Sequence, residues 1–388
     1  DINGAINASG EIIAASLDIS GNVDVDGTSN LDIVDIDGAV DMASTLVVAS
    51  TINTVGITGP KTNFVGSMLI SNDAGTGTLN AASNNTGFGN EVFDDLTSGD
   101  ANTGVGAQAL TKLTTGTDNT AVGQASLDAL TTGDTNTAVG ANAGGALTSG
   151  SANTAVGNDA LETATTGANN TGIGAFALRV NTADDNTAVG NQSLIASTTG
   201  ANNVAVGKNS MHKNTTGASN TAVGTSALAA NTTASGNVAV GYQSLTAATT
   251  GDDNVAVGYQ AGLAITTGAH NTLIGDESGK VITTASSNTA VGADTLLANT
   301  SGTKNTAIGT GSMTANTTGD NNTALGNGAL DANTTADDNT SIGSRSLSAN
   351  TTGASNTAVG KDALLANTTA ADNVAVGTNA LAANTTGE

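Results

Sequence analysis

The stretch NVAVGYQSLTAATTGDDNVAVGYQ, residues 237–260, contains the same seven letters twice, seventeen residues apart. Alignment of the chain on this motif places its Asn at residues 85, 102, 119, 136, 153, 170 and 186, and then at every seventeenth residue from 203 to 373. These are eighteen copies with a single one-residue deletion, near residues 181–186. A short fixed period predicts that each copy is one structural unit stacked on its neighbours.

The consensus copy is N-T-A-V-G-x-x-A-L-x-A-N-T-T-G-x-x, and its residues are numbered here as positions 1–17. Position 1 is always Asn, position 5 always Gly and position 13 always Thr, while position 4 is always Val, Ile, Leu or Phe. Positions 6, 7, 16 and 17 accept Asp, Lys, Gln or Tyr. We therefore expect the variable positions to face water.

The period and composition exclude a helix, because the apolar positions 4 and 9 give no i, i+3, i+4 stripe and the intervals are filled with poor helix formers. The alternation in T-A-V-G is typical of a short strand. The predicted fold is all-β: a parallel β-solenoid, or β-roll, whose coils each contain this strand, a Gly turn, a second short strand carrying A-L, and an N-T-T-G turn.

Each coil is expected to contribute an inward Val, a Gly corner, an outward dipeptide and an Asn side chain that stacks in an amide ladder. In the quoted stretch, the residues of this repeated ladder are Asn237, Val240, Gly241, Leu245, Thr249, Asn254, Val257 and Gly258. Position 9 is Gly at 144, 262 and 279, where position 12 is Leu147, Ile265 and Ile282. This exchange predicts that positions 9 and 12 share one inner space.

The small residues at positions 3 and 8, such as Ala239 and Ser244, predict a second smooth face on which another chain can dock closely. A homotrimer is the expected assembly, and a single-chain solenoid is the alternative.

Residues 1–52 differ from the repeats. The stretch LDISGNVDVDGTSNLDIVDIDGAVDM, residues 17–42, alternates Ile or Val with Asp and predicts strands with one apolar and one acidic face. We expect an intertwined β shaft here, whose aspartates could recruit divalent cations: Asp18, Asp24, Asp26, Asp35 and Asp37. Residues 53–84 form a transition, and residues 85–388 form the solenoid.

The composition argues against a compact enzyme. The chain has 388 residues, a formal net charge of -24, no Cys, no Trp and only 2% aromatic residues. Such a chain repels phosphate backbones and anionic membranes, so neither nucleic acid binding nor membrane insertion is expected. No run of about 18 apolar residues occurs.

No catalytic, cofactor or metal site is predicted. His212 and His270 lie several coils apart with no Cys or second His nearby, and are interpreted as exposed turn residues. The paired acids that begin at 94, 184, 252 and 337 lack the pattern of a calcium loop and are interpreted as solubilising charge.

Two surface features could bind ligands. Tyr242 and Tyr259 occupy position 6 of adjacent coils, so they are expected to stack on the outside, where they could dock a sugar ring or simply stabilise the stack. The Thr rows at positions 13 and 14 suggest ice binding, but successive strand residues face opposite ways, so each face would hold one Thr column.

The units, such as NTAVGTSALAANTTASG at residues 220–236, resemble repeats in tail-fibre proteins of marine bacteriophages, and LDISGNVDVDG resembles the segments that precede those repeats. NTAVG is also similar to the core motif of the β-roll heads of trimeric autotransporter adhesins. The resemblance implies an extracellular homotrimeric fibre of a virion, whose partners are itself, other tail or fibre proteins, and a host cell-surface receptor or glycan. The alternatives are a cellular trimeric adhesin or other extracellular filament protein at the bacterial surface, and a monomeric ice-binding solenoid.

Overall fold

The computed structural model describes residues 56–58, 68–71, 81–385 and 387. The chain divides into units 1–49 and 50–388, and every described residue belongs to the second. The predicted shaft, with its aspartates, and most of the predicted transition lie outside the described residues.

Twenty strands and no helix occur in the described ranges. β1 spans Gly56–Thr58 and β2 spans Met68–Ser71. The strands β3 to β20 follow, one in each copy of the repeat: Thr86–Phe88, Thr103–Val105, Thr120–Val122, Thr137–Val139, Thr154–Val156, Thr171–Ile173, Thr187–Val189, Val204–Val206, Thr221–Val223, Val238–Val240, Val255–Val257, Thr272–Ile274, Thr289–Val291, Thr306–Ile308, Thr323–Leu325, Thr340–Ile342, Thr357–Val359 and Val374–Val376.

Consecutive strands from β2 to β20 pair in parallel, with equivalent residues opposite each other, as Ala239 lies opposite Ala256. Only β1 differs, because it pairs antiparallel with β2. The predicted all-β parallel solenoid of one coil per repeat is confirmed for the described residues.

The prediction of a second strand in each coil is wrong. Residues at positions 7, 9 and 17 have left-handed backbone angles, as at Gln243 (φ 56°), Leu245 (φ 47°) and Asp253 (φ 56°). Left-handed residues cannot continue a pleated strand. Positions 5–17 therefore form a series of turns, and the three-residue strand at positions 2–4 is the only strand in the coil.

The predicted orientation of that strand is also wrong. Position 3 is buried, with Ala239 and Ala256 both 0% exposed, whereas Val240 and Val257 at position 4 are half-buried on the outer surface. Ser244 at position 8 is buried within its own coil as well. Positions 3 and 8 therefore fill the core of one chain, and positions 2 and 4 form the outer face of the sheet.

The core between the turns holds the apolar residues of positions 3, 8, 9 and 12. The shared space predicted for positions 9 and 12 is confirmed in two coils. A Cβ added at Gly262 would lie 3.2 Å from Ile265 Cδ1, and one added at Gly279 would lie 2.8 Å from Ile282 Cδ1. The larger residue at position 12 thus occupies the volume that Leu fills elsewhere.

Gly at position 5 makes the closest approach between coils. Gly258 has φ +145°, and a Cβ there would overlap the carbonyl oxygen of Gly275 in the next coil. Any other residue would have to separate two coils, which explains why this position is invariant.

Replacement of this glycine tests the close approach. Gly258→Ala should lower the free energy of unfolding by more than ~3 kcal/mol, because it adds an overlap to backbone strain, whereas Gly311→Ala should cost only ~1 kcal/mol. Gly311 also has positive φ (67°), but the nearest atom to its Cβ position is Thr314 Oγ1 at 3.6 Å. Denaturant unfolding of both variants measures the difference, and equal losses would contradict the assignment.

Candidate functional site

The invariant Asn of position 1 bonds to both neighbouring coils. In Asn254, the backbone N–H donates to Asn237 Oδ1 at 2.9 Å, and Nδ2 donates to the same oxygen at 3.2 Å and to the carbonyl of Gly268 at 2.9 Å. Asn254 Oδ1 then accepts the backbone N–H of Asn271 at 3.0 Å. The side chain is fully buried, yet its oxygen and its amide are both satisfied.

The ladder also accommodates the shortened coil 170–185. Asn186 still donates its backbone N–H to Asn170 Oδ1 at 3.0 Å, but its Nδ2 turns to Asn181 Oδ1 at 3.3 Å. The missing residue falls in the turn before position 1, so the backbone link survives the deletion.

Position 13 adds a second column of bonds. Thr249 Oγ1 donates to the carbonyl of Thr266 at 3.0 Å, and the same bond recurs along most of the solenoid. These hydroxyl hydrogens therefore serve the stack, whereas the position 14 threonines, such as Thr250 and Thr284, are exposed.

Asn at position 12 forms a shorter ladder that stops. Asn231 Nδ2 donates to Asn214 Oδ1 at 2.7 Å, but position 12 of the next coil is Ala248, and Asn231 Oδ1 is buried without a hydrogen-bond partner. By contrast, Asn316 Oδ1 accepts from Asn333 Nδ2 at 2.9 Å. The unsatisfied oxygen marks the end of a ladder.

Several exposed acids also bond between coils. At position 16, Asp252 Oδ1 accepts the backbone N–H of Ser235 at 2.7 Å, and Asp184 and Asp337 accept equivalent N–H groups of Ala168 and Asp320 at 2.8 and 2.7 Å. These members of the paired acids therefore have a structural role besides adding charge.

Charged pairs and shifted pKa values are few among the described residues. Partial burial raises the pKa of Asp128, an effect that the charge of Lys112 in the preceding coil partly offsets. A hydrogen bond from Lys280 Nζ to Glu277 Oε1, 2.7 Å long, raises the pKa of that lysine. Neither group lies among other groups that suggest acid–base chemistry.

Tyr242 and Tyr259 stack as an exposed pair, with ring centroids 5.6 Å apart and planes 9° apart. Beside them, Gln260 Nε2 donates to Gln243 Oε1 at 2.8 Å. The surface binding predicted for the tyrosines stays a prediction.

A surface cavity of about 220 Å³ spans three successive coils, the last of which contains Tyr242. Its lining residues are Asn209, His212, Lys213, Ser226, Ala229, Ala230 and Thr246. Sequence analysis treated His212 alone and missed this group, although coil 203–219 is where two Lys and one His occur together.

The two histidines do not come together. His212 Nδ1 lies 3.4 Å from the carbonyl oxygen of Gln192, and His270 Nδ1 lies 3.7 Å from Asp253 Oδ2 on the exposed surface. Within the described ranges, no cluster of His, Cys, Asp or Glu could hold a metal ion. The described part of the chain also contains no helix that is long and apolar enough to cross a bilayer.

Comparison with protein-family models and with curated proteins finds no match to this sequence.

Removal of one rung tests the position 1 ladder. Asn271→Ala should reduce the free energy of unfolding by ~3–5 kcal/mol, because it removes bonds to Asn254, Ala285 and Asn288 and leaves the buried N–H of Asn288 unpaired. Thr284→Ala, at an exposed position of the same coil, should change it by less than ~0.5 kcal/mol. Similar effects of the two substitutions on the denaturation midpoint would contradict the ladder.

Asn316, inside a position 12 ladder, and Asn231, at the end of one, differ in the expected cost of replacement. Asn316→Ala removes two ladder bonds, to Asn299 and Asn333, whereas Asn231→Ala removes one, to Asn214, together with an oxygen that already lacks a partner. We expect Asn316→Ala to be the more destabilising by ~1 kcal/mol in chemical denaturation. The opposite order would refute the explanation of the unpaired oxygen.

Proposed function

We propose that this chain is a structural segment of a homotrimeric attachment fibre, most simply a bacteriophage tail fibre that extends toward a host surface. The observation that carries the proposal is an uncharged strip along the outer face of the sheet. The resemblance of the repeats to marine phage tail fibres supports the same function. In this role the solenoid supplies reach and rigidity and needs no catalytic chemistry.

The strip consists of the side chains at positions 2 and 4. In all eighteen coils position 2 is Thr or Val, and position 4 is Val, Ile, Leu or Phe. Many of the position 4 side chains are over one third exposed, including Val223 (36%), Ile274 (38%) and Leu325 (44%). No charged residue interrupts either column in a chain of net charge -24.

The size of the strip favours a protein partner. Eighteen coils at the strand spacing extend ~85 Å, and two residues along a strand span ~7 Å, so the strip covers ~600 Å². About half of that area, the position 4 column, is apolar, since position 2 is Thr in fourteen coils, and contiguous apolar patches of a few hundred Å² often mark interaction sites. A standard interface buries ~800 Å² on each partner, so in a trimer the strip would form the centre of the interface, to which the neighbouring turns also contribute.

Three copies of the same chain fit this strip. Each copy presents the same uncharged columns at the same axial spacing, so parallel copies can match coil for coil. The acidic residues of the turns would then remain on the outside, where like charge keeps neighbouring fibres apart. A cellular trimeric adhesin would use the same assembly. It would differ from a phage fibre only in what the chain is attached to.

Ice binding is the less favoured function. A monomeric ice binder needs a regular array of free hydroxyls, but the position 13 hydroxyls donate within the stack and position 2 changes from Thr to Val in several coils, as at Val204, Val238 and Val255.

The assembly can be tested by placing charge on the strip. Light scattering of residues 1–388 should give three times the chain mass, and Val223→Asp/Val240→Asp should give a folded monomer, since six carboxylates would be buried at the interface. Circular dichroism checks that the β structure is retained.

Thr233→Asp/Thr250→Asp is the matched control, because it adds the same two charges to the same two coils at exposed position 14. It should remain trimeric. A monomeric wild-type chain would refute the trimeric fibre, and thermal hysteresis by that monomer would favour ice binding instead.

A further inference from the structure

The cavity at His212 and Lys213 is the feature of the described surface that the fibre role leaves unexplained. Its lining contains two basic side chains and no acidic one. Elsewhere the chain is acidic, with 33 Asp and Glu against 9 Lys and Arg. A local positive site on such a surface favours an anionic ligand.

The floor of the cavity is apolar and its walls are polar. Ala229 and Ala230, at positions 10 and 11 of the middle coil, leave space between His212 and Lys213 in the preceding coil and Thr246 in the next. The Thr246 hydroxyl donates to the carbonyl of Ser226 at 3.0 Å, so its lone pairs remain to accept a bond. A sugar ring suits this lining, because its C–H groups can contact the alanines of the floor and its hydroxyls can bind the polar side chains of the walls.

Asn209 gives an independent reason to expect a ligand with donors. It lines the cavity, and its Oδ1 is buried without a hydrogen-bond partner. Unlike Asn231, Asn209 belongs to no amide ladder that explains the unpaired oxygen, since the next residue at its position is Ser226. This oxygen has almost no accessible surface, so it can accept a ligand hydroxyl only when the half-buried Asn209 side chain rotates towards the cavity.

The volume limits the size of the ligand. At about 220 Å³ the cavity is smaller than the ~300–1,000 Å³ sites of drug-sized molecules, so it can hold about one sugar unit.

We propose that this cavity binds one hexuronate unit of an acidic glycan. Lys213 and His212 bind the carboxylate, Ala229 and Ala230 contact the ring, and the Asn209 side chain rotates so that its amide oxygen accepts a sugar hydroxyl. The biological meaning of this site rests on the proposed attachment function, because a fibre that approaches a cell meets its surface glycans first.

Calorimetric titration of the full chain with trigalacturonate tests the proposal. We expect binding with a Kd of about 0.1–1 mM per chain, and at least tenfold weaker binding of the fully methyl-esterified trisaccharide, which has the same rings without the charges.

Variants locate the site. Lys213→Ala should weaken binding about tenfold or more, whereas Lys112→Ala, at the same position of another coil but beside Asp128, should leave it unchanged. Ala229→Leu should abolish binding by filling the cavity. The fold tolerates Leu at position 10, since Leu263, Leu297 and Leu365 occupy it in other coils.

Absence of trigalacturonate binding at about 10 mM, equal binding of the esterified sugar, or undiminished binding by Ala229→Leu would each overturn the proposal. The mass of the same sample, measured by light scattering, reports on the trimer separately. A trimer that does not bind the sugar would refute this site but not the trimeric fibre. A monomer that binds the sugar would refute the trimeric fibre but not this site.

Discussion

The side chain of the invariant Asn is the interaction on which the rest of the solenoid depends. Each Asn oxygen accepts the backbone N–H of the next Asn, so the ladder links the main chains of successive coils rather than side chains alone. The bonds are buried, and a buried polar group without its partner is costly. The register between coils is therefore fixed once per coil. The other columns, including the strip of positions 2 and 4 and the tyrosine pair, are aligned as a result.

Much of the architecture follows from the repeat itself. Period, parallel stacking, the Asn ladder, and the shared space of positions 9 and 12 could all be predicted, because equivalent residues must lie over each other in a stack. The facing of the strand could not. A shift of one residue exchanges the two faces of a strand, and the larger Val was assigned to the interior by its hydrophobicity. In a coil this narrow the strand approaches the opposite turns closely, so Ala239 fits inside and Val240 does not.

The turns were harder still to predict. Leucine at position 9 is an ordinary strand residue, and nothing in its identity indicates the left-handed backbone that Leu245 adopts. Gly at residues 144, 262 and 279 was the available signal, since glycine often marks such conformations. The cavity was missed for a related reason: Lys213, Ala229 and Thr246 are sixteen or more residues apart in the sequence, lie in three successive coils, and meet only through the stack.

Reversal of the strand changes the functional interpretation as well. With Ala inside, the repeat presents an uncharged β-branched surface outside, and this surface, rather than the small residues of positions 3 and 8, is the one available for copies of the chain. The variable turns lie elsewhere on the coil, so in the proposed fibre assembly and recognition would use separate columns of the repeat. Turn positions such as those of His212 and Tyr242 vary between coils, while positions 2 and 4 stay uncharged in all of them.

Residue-resolved hydrogen exchange on the solenoid tests the central role of the Asn ladder most directly. The account predicts a seventeen-residue pattern in which the amides of position 1 are strongly protected, while those of position 6, which make no backbone hydrogen bond from residue 107 to residue 378, exchange rapidly. Rapid exchange of the Asn amides, or protection that ignores the repeat, would contradict it.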